Sequence, residues 1–199
     1  MAILMTGLCE KGVELIWKQC NEELYPQGIE YLEEAAHAGD AEGWFFLGNC
    51  YSWGDGAVGF SDKKAYECYK KGIEGGSVRC VLGAARAGQF DEELKKASPC
   101  TLEESYRAVL QSAEEGDAFS AFQIAAAYEW ETIFDLLQPE EQKRENCYKW
   151  YEQAAKGGIV SAMVKVGKCC LNGQYVPKNE EMALKWADRC AALGNAWGL

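Results

Sequence analysis

The chain has 199 residues, and its 31 acidic and 20 basic side chains give a formal net charge of −11 at pH 7. This charge repels phosphate backbones and anionic membranes, so we expect neither nucleic acid nor a membrane as a partner. A protein or peptide, and a basic one in particular, is easier to accommodate on an acidic surface.

The N-terminal residues show no positively charged leader followed by an apolar core, so no export signal is recognised. The longest apolar stretch, near 159–171, is interrupted by Lys165 and Lys168 and is shorter than the roughly 20 residues that a membrane span needs. Together these observations predict a cytoplasmic protein.

Ten of the 199 residues are cysteine. This share is below the roughly 8–10 % that marks a small disulfide-bonded scaffold. Several of these cysteines lie among apolar residues of predicted helices, so we expect reduced thiols that pack as small apolar groups. Examples are Cys50, Cys68, Cys147 and Cys190.

The first 27 residues have apolar side chains at helical spacing but do not share the pattern of the rest of the chain. We predict that residues 1–27 form an N-terminal helical cap over the apolar edge of the first repeat.

Glycines recur at intervals of 36 to 42 residues in the rest of the chain, and each closes a run that is typical of a helix end. These anchor glycines are Gly39, Gly76, Gly116, Gly158 and Gly194. Apolar residues three and four apart precede and follow each of them, which predicts an amphipathic helix on both sides. We call the preceding helix B and the following one helix A.

The glycine spacing divides the chain into repeats. The predicted boundaries are helix B of a partial repeat at 28–40, repeats at 41–76, 77–116, 117–158 and 159–194, and the start of a further helix at 195–199. A small residue lies nine positions after each of the first four anchors, as close helix packing requires. These residues are Gly48, Ala85, Ala125 and Gly167.

The turns between helices A and B differ among the copies. Copies one and four have short glycine turns at 54–58 and 173–177, whereas copies two and three have longer segments at 88–100 and 130–139. Thr101 with Glu104 predicts a capping box, and Pro139 fits a first helical turn, so helix B starts at these points.

Several motifs resemble the Sel1-like repeat family of α/α solenoids. They include Leu-Gly-Asn-Cys-Tyr at 47–51, Gly-Asp-Gly-Ala-Val at 54–58, Lys-Ala at 64–65, Trp-Tyr-Glu-Gln-Ala-Ala at 150–155 and Ala-Leu-Lys-Trp at 183–186. The resemblance covers about residues 28–195; it is strong in copies one and four, good in helix B of copy three and poor in copy two. It implies an all-α fold, a right-handed α/α solenoid (superhelix) of about four to five helix-turn-helix repeats that forms a single domain over 1–199.

The resemblance further implies a non-catalytic scaffold that binds a protein or peptide on the concave face of its A helices. In this family, the helix A positions five and seven residues after the anchor glycine usually face away from helix B. Aromatic and methionine side chains at these and nearby positions predict a binding surface. The residues are Trp44, Phe46, Phe119, Met163 and Trp197.

Enzymatic and metal chemistry finds little support in the sequence. The letters Gly-x-Gly-x-x-Gly at 54–59 follow a predicted helix rather than a strand, so we interpret them as a repeat turn and not as a nucleotide site. His37 is the only histidine, and no Cys-x-x-Cys pair is present. We therefore expect no catalytic residue, no cofactor and no bound metal.

Two alternatives remain open. One is a hydrolase similar to exported cysteine-rich Sel1-like proteins, some of which are associated with penicillin binding. Those proteins pair cysteines within a repeat, and the nearest candidates here are Cys50 with Cys68 and Cys80 with Cys100. The other alternative is a self-association module that uses the apolar C-terminal end around Trp197.

Overall fold

The structure is a computed structural model that describes residues 3–130 and 140–193, with side chains for 3–129 and 145–193. The described residues form helices and turns without a β-strand, which confirms the all-α class and is consistent with an α/α solenoid. The N-terminal region contains helix α1 (Gly7–Val13), a π-helical segment (Glu14–Gln19) and a 3₁₀ turn (Glu22–Leu24).

The predicted A and B helices follow in alternation. The B helices are α2 (Tyr25–His37), α4 (Asp62–Glu74), α7 (Leu102–Glu114), α9 (Glu140–Lys156) and α11 (Glu180–Ala192). The A helices are α3 (Ala41–Trp53), α5 (Val78–Arg86), α8 (Ala118–Trp130) and α10 (Val160–Asn172). No described helix is long and apolar enough to cross a lipid bilayer.

Two differences from the predicted helix boundaries have local causes. Helix α2 begins at Tyr25 rather than at residue 28, because Pro26 fits the first turn of a helix. The longer segment of copy two contains a short additional helix, α6 (Glu92–Ala97), whose first amides are capped by the Asp91 side chain.

The predicted turn and capping signals are observed where the chain is described. Thr101 N and Oγ1 donate to Glu104 Oε2 at 2.8 and 2.9 Å, and Glu104 N donates to Thr101 Oγ1 at 3.2 Å, so the capping box is confirmed. Residues Asp55–Ala57 form a 3₁₀ turn directly after α3. Pro139 lies outside the described residues.

Four anchor glycines, those at 39, 76, 116 and 158, end their B helices through a specific backbone arrangement, and Gly194 lies outside the described residues. Gly39 has φ +98° and Gly76 has φ +90°, in the left-handed region that a side chain would strain. The amide of the next residue then donates to the carbonyl oxygen five residues before it, from Asp40 N to Ala35 O at 3.0 Å and from Ser77 N to Gly72 O at 2.8 Å. This is a Schellman arrangement, and it allows helix A to begin two residues after the glycine.

Tertiary contacts divide the chain into two compact units. The first contains Met1–Ile16 and Asn21–Val109, and the second contains Trp17–Cys20 and Leu110–Leu199. In the first unit, α3 packs against α2, α4 and α5. In the second unit, α9 packs between α8 and α10, and α10 also packs against α11.

Glycines permit the close helix contacts of the first unit. A Cβ atom on Gly43 would lie 2.7 Å from the backbone N of Ala36, so the backbones of α2 and α3 nearly touch. A Cβ atom on Gly48 would lie 2.6 Å from Cε1 of Tyr69 in α4. The predicted packing role of Gly48 is therefore confirmed, whereas the tighter approach at Gly43 was not predicted.

The first unit also encloses an ion pair. The Glu42 side chain is 7 % exposed and the Arg79 side chain 1 % exposed, and Arg79 Nη1 lies 3.5 Å from Glu42 Oε2. Ser77 Oγ donates to Glu42 Oε1 at 2.6 Å. The Arg79 guanidinium also lies 5.8 Å from the ring centroids of Phe45 and Phe46. These contacts connect the first turns of α3 and α5.

The second unit contains a related polar contact between an A helix and its neighbours. Tyr151 of α9 donates from its hydroxyl to Glu129 Oε2 at 2.7 Å, and Lys165 of α10 pairs with Glu129 Oε1. The Glu129 side chain is only 9 % exposed. A single carboxylate of α8 thus contacts both α9 and α10.

We predict that Arg79→Met lowers the free energy of unfolding by about 3–5 kcal/mol, because the buried Glu42 carboxylate then lacks its cation. Combining Glu42→Leu with Arg79→Met should restore much of the loss, since both charges are then absent. Urea unfolding followed by circular dichroism measures these differences.

The control is Arg107→Met, which removes an arginine from the exposed pair with Glu103 and should leave stability almost unchanged. Equal stability of the Arg79→Met protein and the wild type would contradict the assignment of a buried ion pair.

Candidate functional site

A groove of about 220 Å³ lies between α2, α3 and α4 in the first unit. Helix α3 contributes Trp44, Leu47 and Tyr51, helix α4 contributes Lys64, Glu67 and Lys71, and helix α2 contributes Glu33 and His37. Trp44 and Tyr51 are half-buried, whereas the charged side chains are exposed. The groove therefore combines an aromatic floor with a charged rim.

Helical spacing explains why these residues meet. Trp44, Leu47 and Tyr51 are three and four residues apart on α3, so they share one helix face. The same spacing places Lys64, Glu67 and Lys71 on one face of α4, and Glu33 and His37 on one face of α2. The sequence thus contains a signal for the groove, namely residues at helical spacing on one face of each of the three helices. Of these residues, the sequence analysis predicted only Trp44 as a binding residue.

Cations lie over both aromatic rings of the groove. Lys71 Nζ is 4.3 Å from the centroid of the Trp44 ring, and Lys64 Nζ is 4.9 Å from that of Tyr51. Both distances lie within the range in which a cation is attracted to the face of an aromatic ring. The groove therefore already presents its aromatic faces to positive charge.

His37 also contacts the ring of Trp44. The two ring centroids are 5.2 Å apart at an interplanar angle of 68°, in an edge-to-face arrangement. His37 Nδ1 lies 2.7 Å from the carbonyl oxygen of Glu33 and must carry a proton, because a carbonyl oxygen can only accept. This contact orients the imidazole against Trp44.

The carboxylates of the rim do not neutralise the two lysines. Glu67 follows Lys64 by three residues and precedes Lys71 by four, which is the spacing of helical ion pairs. Within the described part of the chain, however, neither lysine forms an ion pair with Glu67 or with Glu33. Among the described residues, the carboxylates of Glu33 and Glu67 thus line the groove without a lysine partner.

A second and larger cavity of about 460 Å³ lies where residues 3–6 pass the turns at 38–42 and 75–78. Its acidic groups already have partners within the cavity wall. Asp40 Oδ2 accepts from both N and Oγ1 of Thr6 at 2.7 Å, and Glu42 accepts from Ser77. We therefore assign this cavity to packing of the N-terminal segment.

The structure corrects the predicted exposure of three candidate binding residues. Phe46, Phe119 and Met163 are 0 %, 5 % and 2 % exposed, so the expectation that they form a surface is wrong. Phe46 packs against Phe45, with ring centroids 5.0 Å apart, and Phe119 packs against Trp17 at 5.2 Å. Met163 is buried in α10, a helix that packs against both α9 and α11.

Among the candidates within the described residues, Trp44 alone is partly open, and in the groove it faces the B helices α2 and α4 rather than away from helix B. Trp197 lies outside the described residues, so the proposed self-association through it remains a prediction. Binding of a partner by Trp44 or Trp197 is also still a prediction.

The described residues give no indication of metal or nucleotide chemistry. They contain no group of three or more histidine, cysteine or acidic side chains that could hold a metal ion. The Gly-x-Gly-x-x-Gly letters at 54–59 follow helix α3 and include a 3₁₀ turn, as predicted for a repeat turn.

All ten cysteines lie in described parts of the chain as free thiols, and eight of them are buried. Burial raises the pKa of Cys68 and Cys169 to about 11 and that of Cys147 to about 12. Burial also raises the pKa of Cys50 and Cys80 well above the ordinary value. Since the thiolate is the nucleophile, these cysteines are poor candidates for covalent chemistry.

Two solved structures of Sel1-type proteins are similar to this chain. A Sel1 repeat protein from Oxalobacter formigenes is 22 % identical, with a TM-score of 0.44, over 85 % of this chain and 46 % of its own length. The protective antigen c5321 of uropathogenic Escherichia coli, described as displaying an SLR fold, is 19 % identical, with a TM-score of 0.31, over 85 % of this chain and 44 % of its own. The chain thus spans less than half the length of either protein. Comparison with curated proteins gave no match.

The Sel1 repeat itself matches residues 23–40, 42–77, 137–159 and 160–195. These stretches cover more than half of the chain, and they include copy one, helix B of copy three and copy four, where the motifs are best preserved. Sel1-repeat proteins are generally protein–protein interaction scaffolds and are typically not enzymes. From the matched repeats and the alternating A and B helices we conclude that the chain belongs to the Sel1 repeat family.

Proposed function

We propose that the chain is an adaptor that binds a partner protein or peptide along its A helices, and that the groove between α2, α3 and α4 is the binding site. The observation that carries this proposal is the pair of partly open aromatic residues, Trp44 and Tyr51, on the groove face of α3. Tryptophan and tyrosine are enriched among the residues that contribute most to protein interfaces.

The size of the groove favours a macromolecular partner. Small-molecule sites typically enclose about 300–1,000 Å³ and bury most of their ligand. The groove holds about 220 Å³, with a charged rim in solvent, so it suits one or two side chains that a larger partner inserts. The remaining contacts of such a partner would lie on the surrounding helix surfaces.

The charged rim of the groove also suits protein recognition. Lys64, Lys71, Glu33 and Glu67 are exposed side chains at the edge of the aromatic floor. A polar rim around a more apolar centre is the usual arrangement of a protein interface. Charged groups at the rim select partners and guide their approach more than they add affinity.

We predict that Trp44→Ala reduces capture of the partner by about tenfold or more, because truncation of a central aromatic residue typically costs at least 1–2 kcal/mol of binding free energy. The immobilised wild-type chain is first used to capture partners from lysate, and quantitative mass spectrometry identifies proteins enriched over an inert column. The same proteins are then measured with the variant.

Trp53→Ala is the matched control, because Trp53 belongs to the same helix and is 54 % exposed but does not line the groove. The control should retain the partners that Trp44→Ala loses, and circular dichroism should show both variants folded. Equal capture by the wild type and both variants would contradict the proposal that this groove is the binding site.

We further predict that all ten cysteines react as free thiols in denaturant without a reductant. In the native protein, only the half-exposed Cys20 and Cys100 should react quickly, since the other eight are buried. Mass spectrometry after alkylation counts the modified residues, and Cys20→Ser should lower the fast count by one. An absence of free thiols would favour the exported, disulfide-bonded alternative.

A further inference from the structure

We propose that the groove recognises an arginine side chain in a basic segment of the partner. The guanidinium would lie over the ring of Trp44, in the place now taken by the Lys71 ammonium, and Glu33 would accept its hydrogen bonds. This inference rests on the proposed function, because it assigns a ligand chemistry to the same groove.

The first argument is that the fold itself places a cation at this site. The ammonium of Lys71 lies 4.3 Å from the Trp44 ring centroid although Glu67, four residues earlier on the same helix, offers a carboxylate at the favourable spacing. The ring face of Trp44 is therefore a place where positive charge is stabilised. An incoming cation would compete with Lys71 for the same ring.

The second argument is that the displaced lysine has a new partner available. Glu67 precedes Lys71 by four residues on α4, the better orientation for a helical ion pair, so Lys71 can pair with Glu67 once it leaves the ring. Glu33, which lines the same groove from α2, then remains for the guanidinium. After the exchange, Lys71 and the guanidinium each have a carboxylate partner.

The third argument concerns the choice of arginine. A guanidinium is planar and weakly hydrated, so it stacks on an aromatic ring and bonds a carboxylate in the same plane more readily than an ammonium does. The net charge of −11 attracts a basic segment from a distance. An acidic partner would approach against this field.

The test uses a blocked, flexible peptide that carries arginines separated by glycine and serine, together with versions that carry lysine or glutamate instead. Calorimetric titration of the wild-type chain should give the tightest binding for the arginine peptide, weaker binding for the lysine peptide and no binding for the glutamate peptide. Stronger binding of the glutamate peptide would overturn the inference.

The decisive variant is Lys71→Met, which removes the internal competitor. It should bind the arginine peptide about two- to fivefold more tightly than the wild type, as expected for one exposed cation–π contact. Lys63→Met is the matched control, because it changes the net charge equally, lies on the same helix and does not line the groove. Unchanged or weaker binding by Lys71→Met, or an equal gain in Lys63→Met, would overturn the inference.

Glu33→Gln provides an independent readout on a surface residue of α2, and it should weaken binding of the arginine peptide while leaving the helical content unchanged. Partner capture distinguishes the claim that the groove is a binding site from the claim that it recognises arginine. If Trp44→Ala loses the partner but the arginine peptide does not bind the wild type, the groove is a binding site and its arginine specificity is wrong.

Discussion

The structure depends on how its first four B helices end. A left-handed glycine, followed by an amide that bonds back into the last turn, lets helix A start after two residues and return along the helix before it. At the first such joint, Gly39 brings α3 so close to α2 that only glycine fits at position 43 without displacing the backbone of Ala36. The same backbone bond recurs from Asp117 to Ser112 and from Ile159 to Ala154, at 3.0 and 3.1 Å.

The groove follows from this constraint. Trp44 lies five residues after Gly39, and Lys71 lies five residues before Gly76, so the repeat geometry brings one aromatic ring and one cation together. The buried pair of Glu42 and Arg79 connects the first turns of two successive A helices in the same unit. The glycine turns between the B and A helices therefore support both the core and the surface that we assign to binding. The helices that form the groove are held in place before a partner binds.

Local signals explain what the sequence could predict. The glycine turns at positions 39, 76, 116 and 158 and the Thr101–Glu104 capping box are properties of short segments, and they were predicted correctly. The exposure of Phe46 and Phe119 was predicted wrongly, because an A helix contacts several neighbouring helices at once and leaves no apolar face exposed. The residues of α3 are apolar on nearly every side, which itself indicates a buried helix. Glu42 and Arg79 are too far apart in the chain for any local pattern to pair them.

The central claim is that the ring of Trp44 receives a cation from the partner. A double-mutant cycle tests it most directly: the arginine peptide and its citrulline version, which has nearly the same shape without the charge, are titrated into the wild type and into Trp44→Ala. Replacing arginine by citrulline in the peptide should weaken binding to the wild type more than binding to Trp44→Ala. We predict that the weakening factor is about two to five times larger for the wild type, because the variant lacks the ring. The same factor for both proteins would contradict the account.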